Sequence, residues 1–489
     1  MDFKDKTYSF KPVNTKFIQE ITSFFEDFLQ AERELFFRKI EGFHYWHFIR
    51  FHFFEKVLIS KGWIKKLSRR ENATRLEVLK ICTGLLINSF RYNLRLDCKK
   101  SELLVLNSPK RVRLAGKMID PYTYALLKNS PHSCTIWEES TYWRHQKGEP
   151  NPDLYYFDNL HVEAFTRRLF NPSKSRIIRK EAVYLKDFAE RFNVLLSENG
   201  INALIQKAFY LYRSSSHIIQ ERLLKKKVRL VILVTHYDMA KMLVTSIARS
   251  LGIYVVELQH GTMGKYHIAY NFDHQMKLDT LPDEIFTLGK YWNDTTRISR
   301  NDVKLTPVGM PYFEQKIRQL KRPSKHKKIK ILILSQEAIG NRFCAIAVDL
   351  FKMLDPHKYE IMYKLHPKEY DNWRITYSNE FKASRIQVYD RVDLFQLLNE
   401  SDIHIGVYST AVMESLVFGK TLILFESYGV HYFTDLIESG RAHFARNASD
   451  IVKIIQSQKD RPSVFKDVSQ YWESNSTEKL HQRIEEILG

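Results

Sequence analysis

Short apolar segments of strand length alternate with longer amphipathic segments in the second half of the chain, and this alternation constrains the fold most. Residues 329–335 (IKILILS), 359–365 (YEIMYKL), 402–407 (DIHIGV) and 421–425 (TLILF) are predicted strands with helices between them. Strands that are apolar along most of their length indicate a parallel sheet whose two faces are covered by helices. We therefore expect a doubly wound α/β domain over residues 328–460.

A second α/β unit is predicted upstream of this domain. The strand 230–235 (LVILVT), a helix over 240–251 and the strand 253–259 (IYVVELQ) form a strand–helix–strand unit of a parallel sheet. The charged, proline-containing segment 321–328 (KRPSKHKK) has the composition of a linker. These patterns predict an N-terminal Rossmann-like domain over residues 101–320.

Helical periodicity dominates the remaining parts of the chain. Residues 1–100 carry apolar side chains at helical spacing and are predicted to form an α-helical N-terminal extension. A long helical stretch covers residues 180–224, and residues 461–489 are predicted to form a C-terminal helical tail. A chain of 489 residues is too long for one core. The expected fold is α/β, with two Rossmann-like domains facing a cleft after the helical extension.

The chain is strongly basic, with a formal net charge of +20, and residues 61–113 alone hold 14 basic against 4 acidic side chains. Such a field attracts nucleic acid, anionic lipid or phosphorylated substrates, although a solubilising face has the same composition. The segment 76–90 (LEVLKICTGLLINSF) could lie on an anionic membrane surface or pack on the next domain. Because neither a membrane-spanning run nor an apolar leader is found, we expect a cytoplasmic chain, peripheral at most at the inner face of the plasma membrane.

Polar residues that follow the predicted strands are the candidate site residues, because ligands of such sheets bind beyond the carboxyl ends of the strands. The strand 253–259 ends in Glu257-Leu258-Gln259 and is followed directly by His260. An imidazole there can act as a general base near neutral pH, although a histidine bonded within the structure is the other interpretation.

Two further clusters follow strands of the C-terminal domain. His366-Pro367 comes after the strand 359–365, and His366, with Lys364 nearby, could donate hydrogen bonds to a phosphate. Ser409-Thr410 comes directly before a helix, where the two hydroxyls either cap the helix or, with its free backbone N–H groups, bind a phosphate. Glu414, one turn into that helix, could accept hydrogen bonds from ribose hydroxyls.

Several nucleotide and catalytic motifs are missing from the sequence. It has no Gly-x-Gly-x-x-Gly after a first strand, no P-loop, no Asp-x-Asp or His-Glu-x-x-His metal motif and no Gly-x-Ser-x-Gly elbow. The four cysteines are scattered, which argues against a zinc knuckle and a disulfide framework. We expect metal-free handling of a nucleotide monophosphate or diphosphate, with no cofactor.

Taken in order, these clusters resemble the GT-B glycosyltransferases of bacterial surface polysaccharide synthesis. His366-Pro367 and Ser409-Thr410 look like the nucleotide-binding motifs of bacterial sialyltransferases, capsule transferases and teichoic-acid glycerophosphotransferases. Other parts of the chain fit capsule and O-antigen transferase-like proteins, namely residues 257–270 (ELQHGTMGKYHIAY) and Trp46 with Arg50. The sequence departs from the sialyltransferase pattern in lacking its acidic Asp/Glu-Asp/Glu-Gly base motif.

The resemblance implies a nucleotide-activated donor, linked to CMP, CDP or UDP, in the C-terminal domain and an acceptor in the N-terminal domain. The residues implied on the donor side are His366, Pro367 and Lys364 at the phosphate, Ser409 and Thr410 capping the same phosphate, and Glu414 at the ribose. The residues implied on the acceptor side are His260 as the base, Glu257 and Asp238 as reserve candidates for the base, and Gln259 beside them.

The function implied by the resemblance is metal-independent transfer of a sugar to a hydroxyl of a lipid-linked or polysaccharide acceptor in capsule or cell-surface polysaccharide synthesis. Its partners would be the nucleotide-sugar donor, the glycan acceptor and an anionic inner-membrane surface, with no specific nucleic acid. Three alternatives stay open: a nucleotide-sugar 2-epimerase-like enzyme, a CDP-glycerol-type glycerophosphotransferase, and a non-enzymatic basic protein that binds membrane or nucleic acid.

Overall fold

The apolar segments build two parallel β-sheets, one in each of two units. The computed structural model describes residues 15–64, 75–140, 144–146, 148, 151–170, 175–323, 326–457 and 468–489. The seven-stranded unit comprises, within those residues, Phe28–Gly62, Ser68–Gln315 and Ser469–Gly489, and the six-stranded unit Met1–Asp27, Trp63–Leu67 and Lys316–Val468. Parts of the predicted helical extension, the basic region 61–113, the linker 321–328 and the tail 461–489 lie outside the described residues. The predicted domain boundaries stay predictions.

The seven-stranded sheet has the strand order β5-β4-β1-β6-β7-β8-β9, and all its neighbouring strands are parallel. Strands β2 and β3 form a separate antiparallel hairpin. The strands of this unit are β1 Leu103–Asn107, β2 Val112–Leu114, β3 Lys117–Ile119, β4 Cys134–Glu138, β5 Leu154–Tyr156, β6 Leu230–Val234, β7 Tyr254–Leu258, β8 Glu284–Thr287 and β9 Lys304–Pro307.

The six-stranded sheet is also parallel throughout, in the order β12-β11-β10-β13-β14-β15. Its strands are β10 Ile329–Leu334, β11 Tyr359–Lys364, β12 Gln387–Tyr389, β13 Ile403–Gly406, β14 Thr421–Phe425 and β15 His443–Ala445. The inner strands β10 and β13 are almost wholly buried, which explains why their sequences are nearly continuous apolar runs. The strands predicted in this half of the chain are confirmed.

Helices cover the sheets and precede them in the chain. They are α1 Lys16–Ala31, α2 Tyr45–Ser60, α3 Arg75–Arg91, α4 Tyr124–Asn129, α5 Asp158–Phe170, α6 Ser175–Glu190, α7 Glu198–Lys226, α8 Met239–Ser250, α9 Lys290–Thr295, α10 Pro311–Gln319, α11 Gly340–Met353, α12 Trp373–Thr376, α13 Asn379–Ala383, α14 Leu394–Glu400, α15 Thr410–Leu416, α16 Thr434–Glu438, α17 Ala448–Ser457 and α18 Ser476–Leu488. The predicted α/β fold of two Rossmann-like units with helices before them is confirmed. None of the described helices has both the length and the apolar character that a membrane crossing requires.

The long helical stretch predicted over 180–224 is two helices rather than one. Helix α6 ends at Glu190, and α7 begins at Glu198 with the hydroxyl of Ser197 accepting a hydrogen bond from the amide of Gly200. Between them Asn193 has a φ of 56°, a left-handed conformation that interrupts a helix. The spacing of apolar residues in the sequence does not indicate such a local change of backbone conformation.

The last helix belongs to the core of the seven-stranded unit. Leu480, Ile484 and Leu488 of α18 pack in one apolar cluster with residues of β1, β6, β7 and β8. The turn at Gly309, whose φ is 85°, packs closely against this C-terminal segment, because a Cβ there would overlap the carbonyl of Glu473. The Val308–Pro311 turn is thus fixed against the C-terminal segment of the same unit.

Candidate functional site

The carboxyl ends of β6 and β7 bring the first group of polar side chains together. The two strands are parallel neighbours, with Leu233 beside Glu257 in the register. After β6 the chain turns sharply at Thr235, whose φ is 69°, and then presents His236, Tyr237 and Asp238 before α8 begins. The residues that follow two adjacent strands therefore share one edge of the sheet, as the sequence predicts for ligand-binding positions.

Glu257 is the buried centre of this group. Its Oε2 lies 2.6 Å from Nδ1 of His236, and its Oε1 accepts a hydrogen bond of 2.8 Å from the hydroxyl of Tyr270. Burial acts to raise the pKa of Glu257, but His236, His260 and Tyr270 outweigh burial and hold that pKa below its usual value. Glu257 is therefore a fixed negative charge at the end of β7.

His260 lies between this charge and a tyrosine hydroxyl. Its Nδ1 is 3.9 Å from Oε1 of Glu257, and its Nε2 is 3.2 Å from the hydroxyl of Tyr237. Burial lowers the pKa of His260 to about 4, against the opposing effect of Glu257, so the ring is neutral at neutral pH. Nδ1 has no hydrogen-bond partner among the described residues, and in the tautomer that carries the proton on Nδ1 the ring presents Nε2 as an acceptor for a hydroxyl.

Asp238 forms a second acidic group with Glu139, which follows β4. Asp238 is the N-cap residue of α8, and its Oδ1 accepts a hydrogen bond of 3.1 Å from the amide of Ala240. Burial, and then the charge of Glu139, raise the pKa of Asp238 well above its usual value, and the two carboxyl groups are in hydrogen-bonding contact. Glu139 also lies 3.1 Å from Nε2 of His161.

The loop after β7 is fixed by buried polar contacts. Gln259 is buried, with its Oε1 accepting from the amide of Leu288 and its Nε2 donating to the carbonyl of Gly261, each at 2.8 Å. The guanidinium of Arg50 pairs with Glu32 and donates to the carbonyls of Ile268 and Asn271. Gln259 and Arg50 thus position the segment that carries His260 and Tyr270.

A separate group lies at the carboxyl ends of β10 and β11 in the six-stranded unit. His366 caps a 3-10 turn over Pro367–Glu369, and Glu369 accepts a hydrogen bond of 2.6 Å from the amide of His366. The other oxygen of Glu369 accepts from Ser335, at 2.9 Å, and from Tyr377, at 2.5 Å. The buried carboxyl of Glu369 therefore holds His366 in place at the end of β11.

The side chain of Lys364, the last residue of β11, is hydrogen-bonded within the protein. Its ammonium donates to the carbonyls of Leu365 and Asp390 and to the hydroxyl of Tyr370. Burial lowers the pKa of Lys364 to about 8. An ammonium has three N–H donors, and all three have protein acceptors, so Lys364 stabilises the loops around His366 in this conformation.

Ser409 and Thr410 follow β13, two strand positions from β11. Within the part of the chain that the structure describes, neither hydroxyl has a hydrogen-bond partner, and Ser409 does not cap α15 through its side chain. Glu414 lies half-buried in the same short helix. Two strand spacings place the β11 and β13 ends about 10 Å apart at the same edge of the sheet.

Several residues of both groups are not singled out by the sequence. No local sequence motif marks the residues that contact the acceptor-side candidates, because the register of the sheet and the course of the loop after β7 bring them together. These residues are His236, Tyr237, Tyr270, Glu139 and His161. For Glu369 a signal exists, because a capping residue followed three positions later by Glu is the spacing of a capping box. Within the described segments, no set of three or more His, Cys, Asp or Glu side chains is arranged to hold a metal ion.

Comparisons with known proteins add similarities of fold alone. No protein-family model matches the chain. No curated protein matches it in sequence. It is similar to the UDP-GlcNAc 2-epimerase of Methanocaldococcus jannaschii, solved with UDP-GlcNAc and UDP (11% identity, TM-score 0.47, 78% of this chain and 99% of that chain). It is also similar to Staphylococcus aureus MnaA solved with UDP (12%, 0.48, 80% and 97%) and to the glycotransferase of kitacinnamycin (8%, 0.43, 80% and 96%). With TM-scores below 0.5, these three likenesses concern the fold and carry no argument about function.

Proposed function

We propose that the chain is a GT-B-type glycosyltransferase that moves a sugar from a nucleotide-activated donor to an acceptor hydroxyl without a metal ion. The observation that carries the proposal is the line of Glu257, His260 and the hydroxyl of Tyr237 at the carboxyl ends of β6 and β7. A neutral imidazole that faces a buried carboxylate on one side and a hydroxyl on the other is the arrangement of a general base.

In the proposed reaction the acceptor hydroxyl takes the position that the Tyr237 hydroxyl has beside Nε2 of His260. Nε2 accepts the proton as the acceptor oxygen forms its bond to the anomeric carbon of the donor sugar. The bond between that carbon and the donor phosphate oxygen breaks, and its electron pair stays on the nucleotide phosphate. Glu257, which is fully buried, acts by stabilising the imidazolium rather than by contacting the acceptor.

On the donor side, we assign the phosphate to His366 and to the hydroxyls of Ser409 and Thr410, and the ribose to Glu414. The support for this assignment is the position of these groups beyond the carboxyl ends of one parallel sheet, together with the unpartnered hydroxyls of Ser409 and Thr410 among the described residues. Pro367 and Lys364 act by fixing the loop that carries His366.

The acceptor we propose is a lipid-linked or polysaccharide glycan of a bacterial surface, which rests on the motif resemblance. A nucleotide-sugar 2-epimerase is a second candidate, and the observation that favours it is the hydrogen-bonded pair of carboxyl groups Asp238 and Glu139, whose pKa values are shifted in opposite directions. Epimerisation removes the proton from one face of a sugar carbon and returns a proton to the opposite face, so it needs both a base and an acid, roles that carboxyl groups with separated pKa values can take.

Incubation of the protein with three donors separates these functions. UDP-GlcNAc, CMP-sialic acid and CDP-glycerol are each supplied with and without a polyprenyl-diphosphate-linked sugar, and released nucleotide and products are measured. A glycosyltransferase releases nucleotide from one sugar donor only when acceptor is present, and His260→Gln abolishes that release. Conversion of UDP-GlcNAc without acceptor would identify an epimerase, and consumption of CDP-glycerol alone a glycerophosphotransferase. No turnover of any donor in a folded sample would contradict the proposal.

A further inference from the structure

Exposed large apolar side chains are concentrated on one part of the seven-stranded unit. Of the 16 that the described residues leave exposed, 8 lie on α3, on the 3-10 turn after it and on α5. We call this region the α3–α5 face. Its apolar side chains are Leu79, Leu86, Ile87, Phe90, Leu96, Phe165, Leu169 and Phe170. Isolated exposed apolar residues are ordinary in soluble proteins, but such a group on two adjoining helices marks an interaction surface.

The orientation of the two helices is fixed by contacts on their other sides. Helices α3 and α5 pack against each other, and the amide of Asn88 donates to Asp158 at 3.1 Å. Ile81, Leu85 and Asn88 are half-buried on one side of α3, whereas Leu79, Leu86 and Phe90, at intervals of seven and four residues, share the opposite, exposed side. The exposed apolar side is therefore a feature of helices that are packed in place.

The charge of the α3–α5 face has a single sign. The sequence holds no Asp or Glu from residue 78 to 96 or from residue 164 to 170. The basic side chains Lys80, Arg91, Arg167 and Arg168 are exposed among the apolar ones. Glu163, the residue directly before the second stretch, pairs with Arg95 at 3.1 Å.

We propose that the α3–α5 face docks on an anionic lipid bilayer, with Phe90 and Phe170 inserting at the level of the headgroups. An apolar helix face bordered by Lys and Arg binds at a membrane interface through buried apolar area and attraction to anionic lipid. A symmetric contact between two copies would place two basic faces against each other, so charge complementarity favours the lipid surface. This docking is independent of the proposed transferase activity.

The test is co-sedimentation of the full chain with vesicles of phosphatidylglycerol and phosphatidylcholine in equal amounts, and with vesicles of phosphatidylcholine alone. We expect binding to the anionic vesicles that weakens as salt is raised, and little binding to the neutral ones. The double variant Phe90→Gln/Phe170→Gln should lose about tenfold in vesicle affinity for each inserted ring. Arg167→Gln/Arg168→Gln should lose about fivefold for each charge.

A matched control removes two equally exposed apolar side chains elsewhere. Leu195 and Ile375 are 80% and 85% exposed, against 78% and 84% for Phe90 and Phe170. Leu195→Gln/Ile375→Gln should bind vesicles like the wild-type chain. The proposal is overturned if the wild-type chain fails to sediment with anionic vesicles, or if Phe90→Gln/Phe170→Gln and the control Leu195→Gln/Ile375→Gln bind these vesicles equally. It is also overturned if Phe90→Gln/Phe170→Gln abolishes a dimer or RNA binding and leaves vesicle binding unchanged. Nucleotide binding, measured on the same samples, reports separately on the proposed transferase.

Discussion

Replacement of Glu257 by Gln isolates the electrostatic role of the carboxylate in the candidate base. The substitution keeps the volume of the side chain and removes one negative charge from the end of β7. In the wild-type protein that charge opposes the effect of burial on His260, whose pKa is about 4. Without it, the imidazole should hold a proton less firmly, and transfer of the acceptor proton should become less favourable.

The size of the effect follows from the distance between the two groups. Oε1 of Glu257 lies 3.9 Å from Nδ1 of His260. At an effective dielectric constant of about 20, unit charges at this separation interact by about 4 kcal/mol. If about half of the proton charge is on the imidazole in the transition state, the barrier rises by about 2 kcal/mol, which lowers the rate about 30-fold.

The assay is acceptor-dependent nucleotide release, measured as kcat/KM on samples whose folding is checked by thermal unfolding. Glu284→Gln is the matched control, because Glu284 is equally buried in the same sheet but is paired with Val256 in the register, which places it on the opposite face of the sheet from Glu257. Glu284→Gln should lower stability, through loss of its pairing with Arg483, and leave kcat/KM unchanged in the folded protein. Equal kcat/KM for wild type and Glu257→Gln, or equal losses in both variants, would refute the reasoning.

Three further predictions concern stability. Gly340→Ala should destabilise the six-stranded unit by about 1–3 kcal/mol, since a Cβ there overlaps Glu369. The control Gly84→Ala should be neutral or stabilising, because the Cβ position in α3 is open space. Chemical denaturation of both variants measures these changes in the free energy of unfolding. Lys226→Met should cost about 3–5 kcal/mol because it leaves Asp97 buried without its cation, and Lys226→Met/Asp97→Leu should recover part of that loss. Burial lowers the pKa of His404 to about 3, so the unfolded chain binds a proton at acid pH that the folded chain does not. The free energy of unfolding should therefore fall by about 1.4 kcal/mol per pH unit below about pH 6.5 on account of this group, and His404→Gln should remove that part of the pH dependence; an unchanged slope would contradict it.

The sheets could be predicted from the sequence because their strands are buried on both faces. Strands β10, β11, β13 and β14 are mostly apolar segments of strand length, which is the pattern typical of buried parallel strands. The break between α6 and α7 could not be predicted, because it depends on one left-handed residue, Asn193, within an uninterrupted apolar periodicity.

The candidate site could be predicted only in part. His260 and His366 follow strands directly, so their place at a sheet edge could be read from the sequence. The partners that define their chemistry could not, since the contact of Glu257 with His236 depends on the register of β6 against β7, and its contact with Tyr270 on the course of the loop after β7. The pKa values depend on burial by these same neighbours.

The central claim is that the six-stranded unit binds an activated nucleotide through His366. The most direct measurement is a thermal-unfolding panel of the wild-type chain, His366→Ala and the exposed control His357→Ala with CMP, CDP, UDP, GDP and ADP. A nucleotide at about a hundred times its Kd should add about 2.7 kcal/mol, which is several degrees of Tm. We predict that one nucleotide stabilises the wild-type chain and His357→Ala but not His366→Ala. A flat response to all five, or an equal shift in His366→Ala, would contradict it.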